Sequence, residues 1–408
     1  MNRCRHCGNQ NLQNVVDLGF APPSNAYLTK EQLTQAEITL PLHILVCDQC
    51  WLVQTQDFAT PETYFSEDYA YFSSTSSSWL AHAKHYCEQV TERFNLDKDS
   101  FVIEIAANDG YLLKNFVTIG IPCLGIEPTK STATAARALG INIIESFFTN
   151  SMANTLRTKG YLANLIVANN VFAHVPDIND FSLALATILA PQGVITLEFP
   201  HLLNLIKQVQ FDTLYHEHFS YLSLFSVNRI LSLAGLRIFD VETLTTHGGS
   251  LRVFACHQNA DHQKQSSVEE VIEEEYKAEL QQISGYRGFQ AKVESIKYQL
   301  LEFLLEQKRF GKTVVAYGAA AKGNTLLNFT GVKADLLPVV YDAAVSKQDK
   351  YLPGSHIPIV APSAMPEQGL DYVLILPWNI ADEIKEQYSY LRQQGTQFVV
   401  AIPRLTII

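Results

Sequence analysis

Between Phe211 and Ser223 the chain reads FDTLYHEHFSYLS, which sets Tyr215, His216, Glu217 and His218 side by side, with Tyr221 three residues on. Imidazole titrates near neutral pH and is flanked here by phenols and a carboxylate, so the cluster can accept, donate and steer a proton. Three readings fit these residue types: a metal site, a general-base cluster and a polar turn. The helical H-E-x-x-H spacing of a catalytic zinc site is missing. Only one of His216 and His218 need face a pocket.

A second chemistry lies in the thiols. CRHC places Cys4 and Cys7, and CDQC places Cys47 and Cys50, each pair two residues apart. That spacing lets both sulfurs of a knuckle reach one tetrahedral ion, and four thiolates close a structural zinc site with no open position. Two separate redox pairs are the alternative. Zinc would supply folding energy to a segment too small for its own core, a treble- or ribbon-like unit with an insertion. Within the insertion, LGFAPPSNAYL (Leu18–Leu28) predicts an extended exposed loop. That loop is either a surface connector or an arm into a neighbouring cleft, with Asn25 at its tip as a candidate substrate contact.

The elements that position these groups follow from pattern. The 408 residues are 47% apolar, enough for a large core divided among two or three domains. A net charge of -11 with no basic run argues against nucleic acid as a partner. No apolar run of about 18 residues predicts a membrane span. The polar opening MNRCRHCGNQ is unlike a signal peptide, and an odd count of seven cysteines argues against a disulfide framework. The expectation is a soluble, cytoplasmic protein.

From Phe101 short apolar runs alternate with helical ones: FVIEI, IPCLGIEP, INIIES, ANLIVANNVFAHV and GVITLEFP as strands, with ATAARALG and FSLALATILAPQG as helices. This predicts an α/β, doubly wound parallel sheet, whose ligands sit at the carboxyl ends of the strands. Glu104, Asn108, Asp109 and Gly110 mark the first such end, Glu127 the second, Asn169 and Asn170 the fourth. The G-x-G-x-x-G of a dinucleotide site is missing. EIAANDG, acidic and with one glycine, suits a cofactor without phosphates whose cationic end needs a carboxylate, and S-adenosylmethionine fits. The plainer reading is an ordinary strand-to-helix turn with a capping Asn or Asp. HGGSLRVFACH, after a helix and a β run, predicts a closing antiparallel pair. A charged helical stretch then bridges to TVVAYGAAAKGNTLLNF, the start of a second Rossmann-like sheet. Its small residues admit a phosphate at a helix N-terminus, where Lys322 adds positive charge, or serve packing alone.

Taken in order, the knuckles, EIAANDG, YHEH, HGGSLRVF, YGAAAKGNTLLNF and LPGSHIPI make nearly the whole chain resemble one family. It is that of the C-methyltransferases acting on nucleotide-linked 4-keto-deoxysugars. The resemblance implies a zinc-binding domain over 1–70, a class I S-adenosylmethionine-binding domain over 71–265, bridging helices over 266–310 and a Rossmann-like C-terminal domain over 311–408. The nucleotide-diphosphate sugar would lie in the cleft between domains, which needs only one chain, so a monomer or a dimer is expected. His218 is implied as general base, Tyr215 as alternative base or enolate stabiliser, and Glu217 as supporting carboxylate. YFSSTSSSW and NNVFAHVPDINDF also match, which adds Tyr71, Ser73, Asn170 and His174 to the cofactor pocket, His174 also facing substrate, with Ala106 in the cofactor loop. Asn25, Lys322 and Asn324 are implied on the substrate side. Family members commonly carry EIGSNDG where this chain has Ala106 and Ala107, and DRNPYKQ where it reads YDAAVSKQ, so no arginine stands beside Asp342. The implied reaction is methylation of a sugar carbon, C3 being usual. Sugar O- or N-methylation and a non-catalytic nucleotide-sugar binder are the alternatives.

Overall fold

The computed structural model describes residues 3–56, 72–75, 77–366 and 368–408, so Tyr71 lies outside the described residues. Strands β1 (Leu12–Ala21) and β2 (Leu40–Cys47) pair antiparallel, and β3 (Val53–Thr55) adds beside β2. The insertion between the two knuckles therefore begins and ends in sheet. Its distal part is no exposed loop either: Ala21, Pro22 and Ser24 are buried.

The central sheet is built from β4 (Val102–Ile105), β5 (Cys123–Ile126), β6 (Ile143–Ile144), β7 (Ala163–Asn169) and β8 (Leu189–Pro200). These five run parallel. All residues of β4 and β5 are buried, as expected for strands covered on both faces. Two boundaries differ from the pattern. The helix Ile178–Ile188 stops earlier than the run to Gly193 suggests, because Pro191 disfavours helical backbone at Ala190. β7 ends at Asn169, where Asn170 turns to a φ of 54° and a short 3-10 turn, Phe172–His174, follows.

The chain then returns to the first sheet. β9 (Ser220–Tyr221) pairs with β3, giving the order β1-β2-β3-β9. β10 (Leu236–Leu244) and β11 (Ser250–His257) close the central sheet as the expected antiparallel pair, in the order β10-β11-β8-β7-β4-β5-β6. Helices Ser266–Lys277 and Phe289–Arg309 lead to the third sheet. It comprises β12 (Val314–Tyr317), β13 (Val340–Tyr341), β14 (Ile359–Val360), β15 (Tyr372–Ile375), β16 (Gln397–Val400) and β17 (Thr406–Ile407). Its order, β14-β13-β12-β15-β16-β17, is parallel apart from β17. The connections reverse direction between β12 and β15, and that switch point opens a crevice at their carboxyl ends.

Packing ties these units into one seam. A single apolar core joins Val16, Ile44 and Val53 of the first sheet to Val293 and Leu300 of the long helix and to Ala316 and Leu374 of the third sheet. A second core joins Cys4, Cys47 and Cys50 to Ile103, Phe172 and Phe181 of the central unit. Among the described residues no helix is long and apolar enough to cross a membrane.

Candidate active site

The first βα turn carries an unusual backbone. Ala106, Asn108 and Gly110 all have positive φ, at 56°, 49° and 78°. Alanine pays roughly 1–2 kcal/mol for that region, so the family's glycine at position 106 is the unstrained choice. The turn persists because its neighbours over-determine it. Glu127, at the end of β5, accepts from the amides of Asn108 (2.9 Å) and Thr129 (2.8 Å). The Ser73 amide donates to Asn108 Oδ1 (2.9 Å), and the Ser74 amide to Asp109 Oδ2 (3.0 Å). Among the described residues, three buried oxygens here have no protein partner: Glu104 Oε2, Asp109 Oδ1 and Asn169 Oδ1. Burial, then Glu127 and Asp109, push the Glu104 carboxyl well above the usual range. Orphaned acceptors beside three clustered carboxyl groups are short of a cation, so this turn fits the ammonium end of S-adenosylmethionine.

The histidine segment is a turn, not a strand. The His218 amide donates to Tyr215 O (3.0 Å), and this bend sends the two imidazoles apart. His216 Nε2 reaches the carbonyls of Leu40 and Pro41 (both 3.2 Å), anchoring the turn to the first sheet. His218 instead donates from Nδ1 to Thr213 O (3.0 Å). A carbonyl only accepts, so Nδ1 carries the proton and Nε2 presents its lone pair. Among the described residues nothing bonds to that Nε2. Burial, helped by His174, holds the His218 pKa well below 6.5, so the ring is neutral at neutral pH. Tyr215 lies against it at 4.0 Å between ring centroids, and His174 meets it edge-on at 4.6 Å. His174 bonds through Nδ1 to Glu217 O (2.9 Å), and burial lowers its pKa to about 4.

Glu217 orients no imidazole with its carboxyl group. The carboxyl takes a hydrogen bond from Asn25 Nδ2 (2.7 Å), so the loop of the first domain does reach into the cleft. Burial pushes the Glu217 pKa up to about 7. Because the folded value exceeds the unfolded one, this group's stabilising contribution is complete below about pH 4.5 and is lost as pH rises through about 7. Glu217→Gln keeps an acceptor for Asn25 and removes the titration. The stability lost between pH 5 and pH 8.5, read by urea denaturation, should be smaller in the variant by up to about 3 kcal/mol. Identical pH dependence in the two proteins would show that the carboxyl is not held this way.

The third sheet closes the site from the other side. Tyr27 Oη donates to Ala319 O (2.6 Å), and Lys347 Nζ donates to the same carbonyl (2.9 Å). Asn324 donates to Ser24 O (2.6 Å) and keeps a buried Oδ1 without a partner. Lys322 lies 4.7 Å from the Trp378 ring centroid and donates to Asn379 Oδ1 (2.6 Å). At the end of β13, Asp342 accepts from the amides of Ala319 (2.6 Å) and Ala344 (2.7 Å), as Glu127 does on the central sheet. Lys347 Nζ lies 3.8 Å from Asp342, so a cation faces this carboxylate although the family's arginine is missing.

The cysteines converge as their spacing predicts. Cys4 and Cys50 sulfurs lie 3.3 Å apart, Cys7 and Cys47 sulfurs 3.6 Å, and all four fall within 4.8 Å of one another. Among the described residues this is the one such grouping of three or more ligand side chains. Four sulfurs at these separations fit one tetrahedral zinc ion.

Matched to protein-family models, residues 4–65 fit one described as "Putative zinc binding domain", residues 79–241 a "Methyltransferase domain" and residues 245–403 a "C-methyltransferase C-terminal domain". The C-methyltransferase NovU of Streptomyces niveus is 35% identical over 408 residues, which cover 100% of this chain and 97% of that protein. The chain belongs to the S-adenosylmethionine-dependent C-methyltransferase family. Among solved structures, magnesium protoporphyrin IX methyltransferase (ChlM) from Synechocystis PCC 6803 with bound SAH is 14% identical over 44% of this chain and 83% of its own, at a TM-score of 0.36. PH0226 from Pyrococcus horikoshii OT3 is 12% identical over 50% and 100%, at a TM-score of 0.37. Neither adds to the assignment.

As a C-methyltransferase the protein uses S-adenosylmethionine, and the cysteine cluster is its zinc site. Several residues at this site were not singled out by spacing. His247 takes a φ of 54° before two glycines, and its ring lies 5.2 Å from that of Trp79. Asp212 and Trp378 meet across the seam. One signal was present, since HGG breaks a strand pattern with residues suited to tight backbone; Asp212 sits in a mixed polar segment and carries none. Their convergence depends on contacts more than 100 residues apart.

Proposed function

We propose that this C-methyltransferase transfers a methyl group to C3 of a nucleotide-linked 4-keto-6-deoxysugar, through an enolate generated by His218. The observation that carries this reading is the locked tautomer: a buried, neutral imidazole with Nδ1 committed to Thr213 O and Nε2 open. A sugar carbon is not nucleophilic, but a ketone at C4 acidifies its neighbour's C–H because the conjugate base is an enolate. His218 Nε2 takes that proton, and the electron pair left behind becomes the nucleophile. S-adenosylmethionine, when bound, supplies an electrophilic methyl on a sulfonium. Glu104, Asp109 and Asn108 hold its cationic end in this reading, Glu127 faces its ribose, and Ser73, Ala106, Gly110 and Asn170 shape the pocket. His174 backs His218 and faces both ligands. Tyr215 is placed to donate to the enolate oxygen or to act as alternative base. Asn25, Lys322 and Asn324 face the sugar nucleotide from the two flanking domains.

The test is the mass of nucleotide sugars after incubation with enzyme and S-adenosylmethionine. Matched 4-keto and 4-hydroxy 6-deoxysugars on thymidine, guanosine and cytidine diphosphates should be compared. One added methyl on a keto sugar alone is the expected result. Methylation of the hydroxy sugars would replace the enolate route by O-transfer.

A further inference from the structure

The 3-10 turn Phe211–Thr213 holds two groups at once. Its Thr213 carbonyl fixes His218. The preceding residue, Asp212, is fully buried and accepts from Trp378 Nε1 (2.7 Å) in the 3-10 turn after β15, while among the described residues its other oxygen has no protein partner. Trp378 in turn carries the Lys322 ammonium over its ring. Gly248 presses on the same indole: a Cβ there would fall 2.4 Å from Trp378 Cη2, so nothing larger than glycine lets the His247 loop close on it. A methyl-transfer centre that removes a proton next to a ketone needs a positive group at the ketone oxygen as well as a base. The turn that aims the base also holds, through Asp212, the indole against which Lys322 rests.

We propose that Asp212 and Trp378 form a positioning pair that sets the Lys322 ammonium toward the ketone oxygen, making Lys322 the oxyanion partner of the His218 base. This rests on the enolate reading above. The charged and titratable groups facing Lys322 are Asp212, His218 and His247. Of these only Asp212 is anionic. Burial lowers the Lys322 pKa and Asp212 opposes that, while burial raises Asp212 itself to about 6. Asp212 is therefore ionised at pH 7.5, where it holds the proton on Lys322.

Asp212→Asn tests this, because the amide oxygen still accepts from the indole while the charge is gone. The pH midpoint of Lys322 acetylation, followed by mass spectrometry of its peptide in the intact enzyme, should fall by about 1 pH unit. kcat for the keto sugar should fall about tenfold or more with little change in KM, and the alkaline limb of kcat should move down with the Lys322 midpoint. Asp212→Glu should restore the midpoint at least in part. An unmoved Lys322 midpoint overturns the pairing, whether or not the sugar is a substrate. A moved midpoint with a raised KM and unchanged kcat overturns the oxyanion role and puts Lys322 on the diphosphate. Failure of the wild-type enzyme to methylate any keto sugar would count against the substrate reading, and the acetylation result would still decide the pairing.

Discussion

His218→Asn should lower kcat for methyl transfer by about 10²–10⁴-fold while leaving the Kd for S-adenosylmethionine within a factor of about two or three. The asparagine amide can take over the bond to Thr213 O that Nδ1 now makes, so the turn keeps its shape. What disappears is the lone pair at Nε2. The unchanged cofactor affinity follows from position: the acceptors proposed to hold the cofactor, Glu104, Asp109 and Glu127, lie at the carboxyl ends of β4 and β5, and among the described residues none is held by the histidine turn. Tyr215 is the competitor for the role of base, with its ring 4.0 Å from that of His218. Tyr215→Phe separates the two, since a stabilising phenol costs turnover but leaves solvent exchange of the substrate's acidic C–H intact. Exchange of that proton lost in His218→Asn and kept in Tyr215→Phe is the expected pattern. The reverse pattern makes Tyr215 the base.

Much of this site could be read from sequence because its chemistry is local. The cysteine knuckles, the acidic turn after β4 and the YHEH cluster each place several functional groups within a few residues, and strand periodicity fixed the sheets around them. What sequence did not reveal was direction. On a strand, His216 and His218 would share a face; the turn made by the His218 amide and Tyr215 O separates them, sending one to the first sheet and one to the Thr213 carbonyl. The same limit applies to Glu217, whose carboxyl meets Asn25 at a separation of 192 residues while its carbonyl serves His174. Main-chain acceptors orient both functional imidazoles, and a carbonyl has no sequence signature. The Pro22-Pro23 loop reads as exposed because two prolines and Asn25 suit an extended turn segment. Ala21, Pro22 and Ser24 are buried because the third domain supplies partners for Ser24 and Tyr27, and Glu217 of the histidine turn supplies one for Asn25, none of which a local pattern displays.

Zinc removal should abolish methyl transfer, and should do so through His218. The cysteine cluster lies at one end of a short mechanical path. Cys47 ends β2 and Cys50 begins the turn into β3, so the knuckle sets where β3 lies. β3 then pairs with β9, Val53 opposite Tyr221 and Gln54 opposite Ser220, and Thr55 Oγ1 donates to the His218 carbonyl. The other knuckle pins the same region, since Arg5 donates to Thr55 O (3.1 Å) and Pro176 O (3.0 Å) and lies over the Phe219 ring. Without the ion, four thiols are left crowded in a small sheet whose binding energy for zinc is a large part of its folding energy. Dialysis against a chelator, with residual zinc measured by atomic absorption, should lower the thermal midpoint and take turnover below about one hundredth of the holoenzyme's, restored by added zinc. Thr55→Val isolates the path from the metal: it keeps all four cysteines and loses the Oγ1 bonds to the His218 carbonyl and to Tyr221, both in the histidine turn and its strand. Its zinc content should be unchanged and its kcat reduced, because the main chain that carries the imidazole is less firmly held. Zinc-free protein with unchanged midpoint and turnover would break the link between the cysteine cluster and the catalytic turn. A Thr55→Val enzyme indistinguishable from wild type would confine the metal's role to folding.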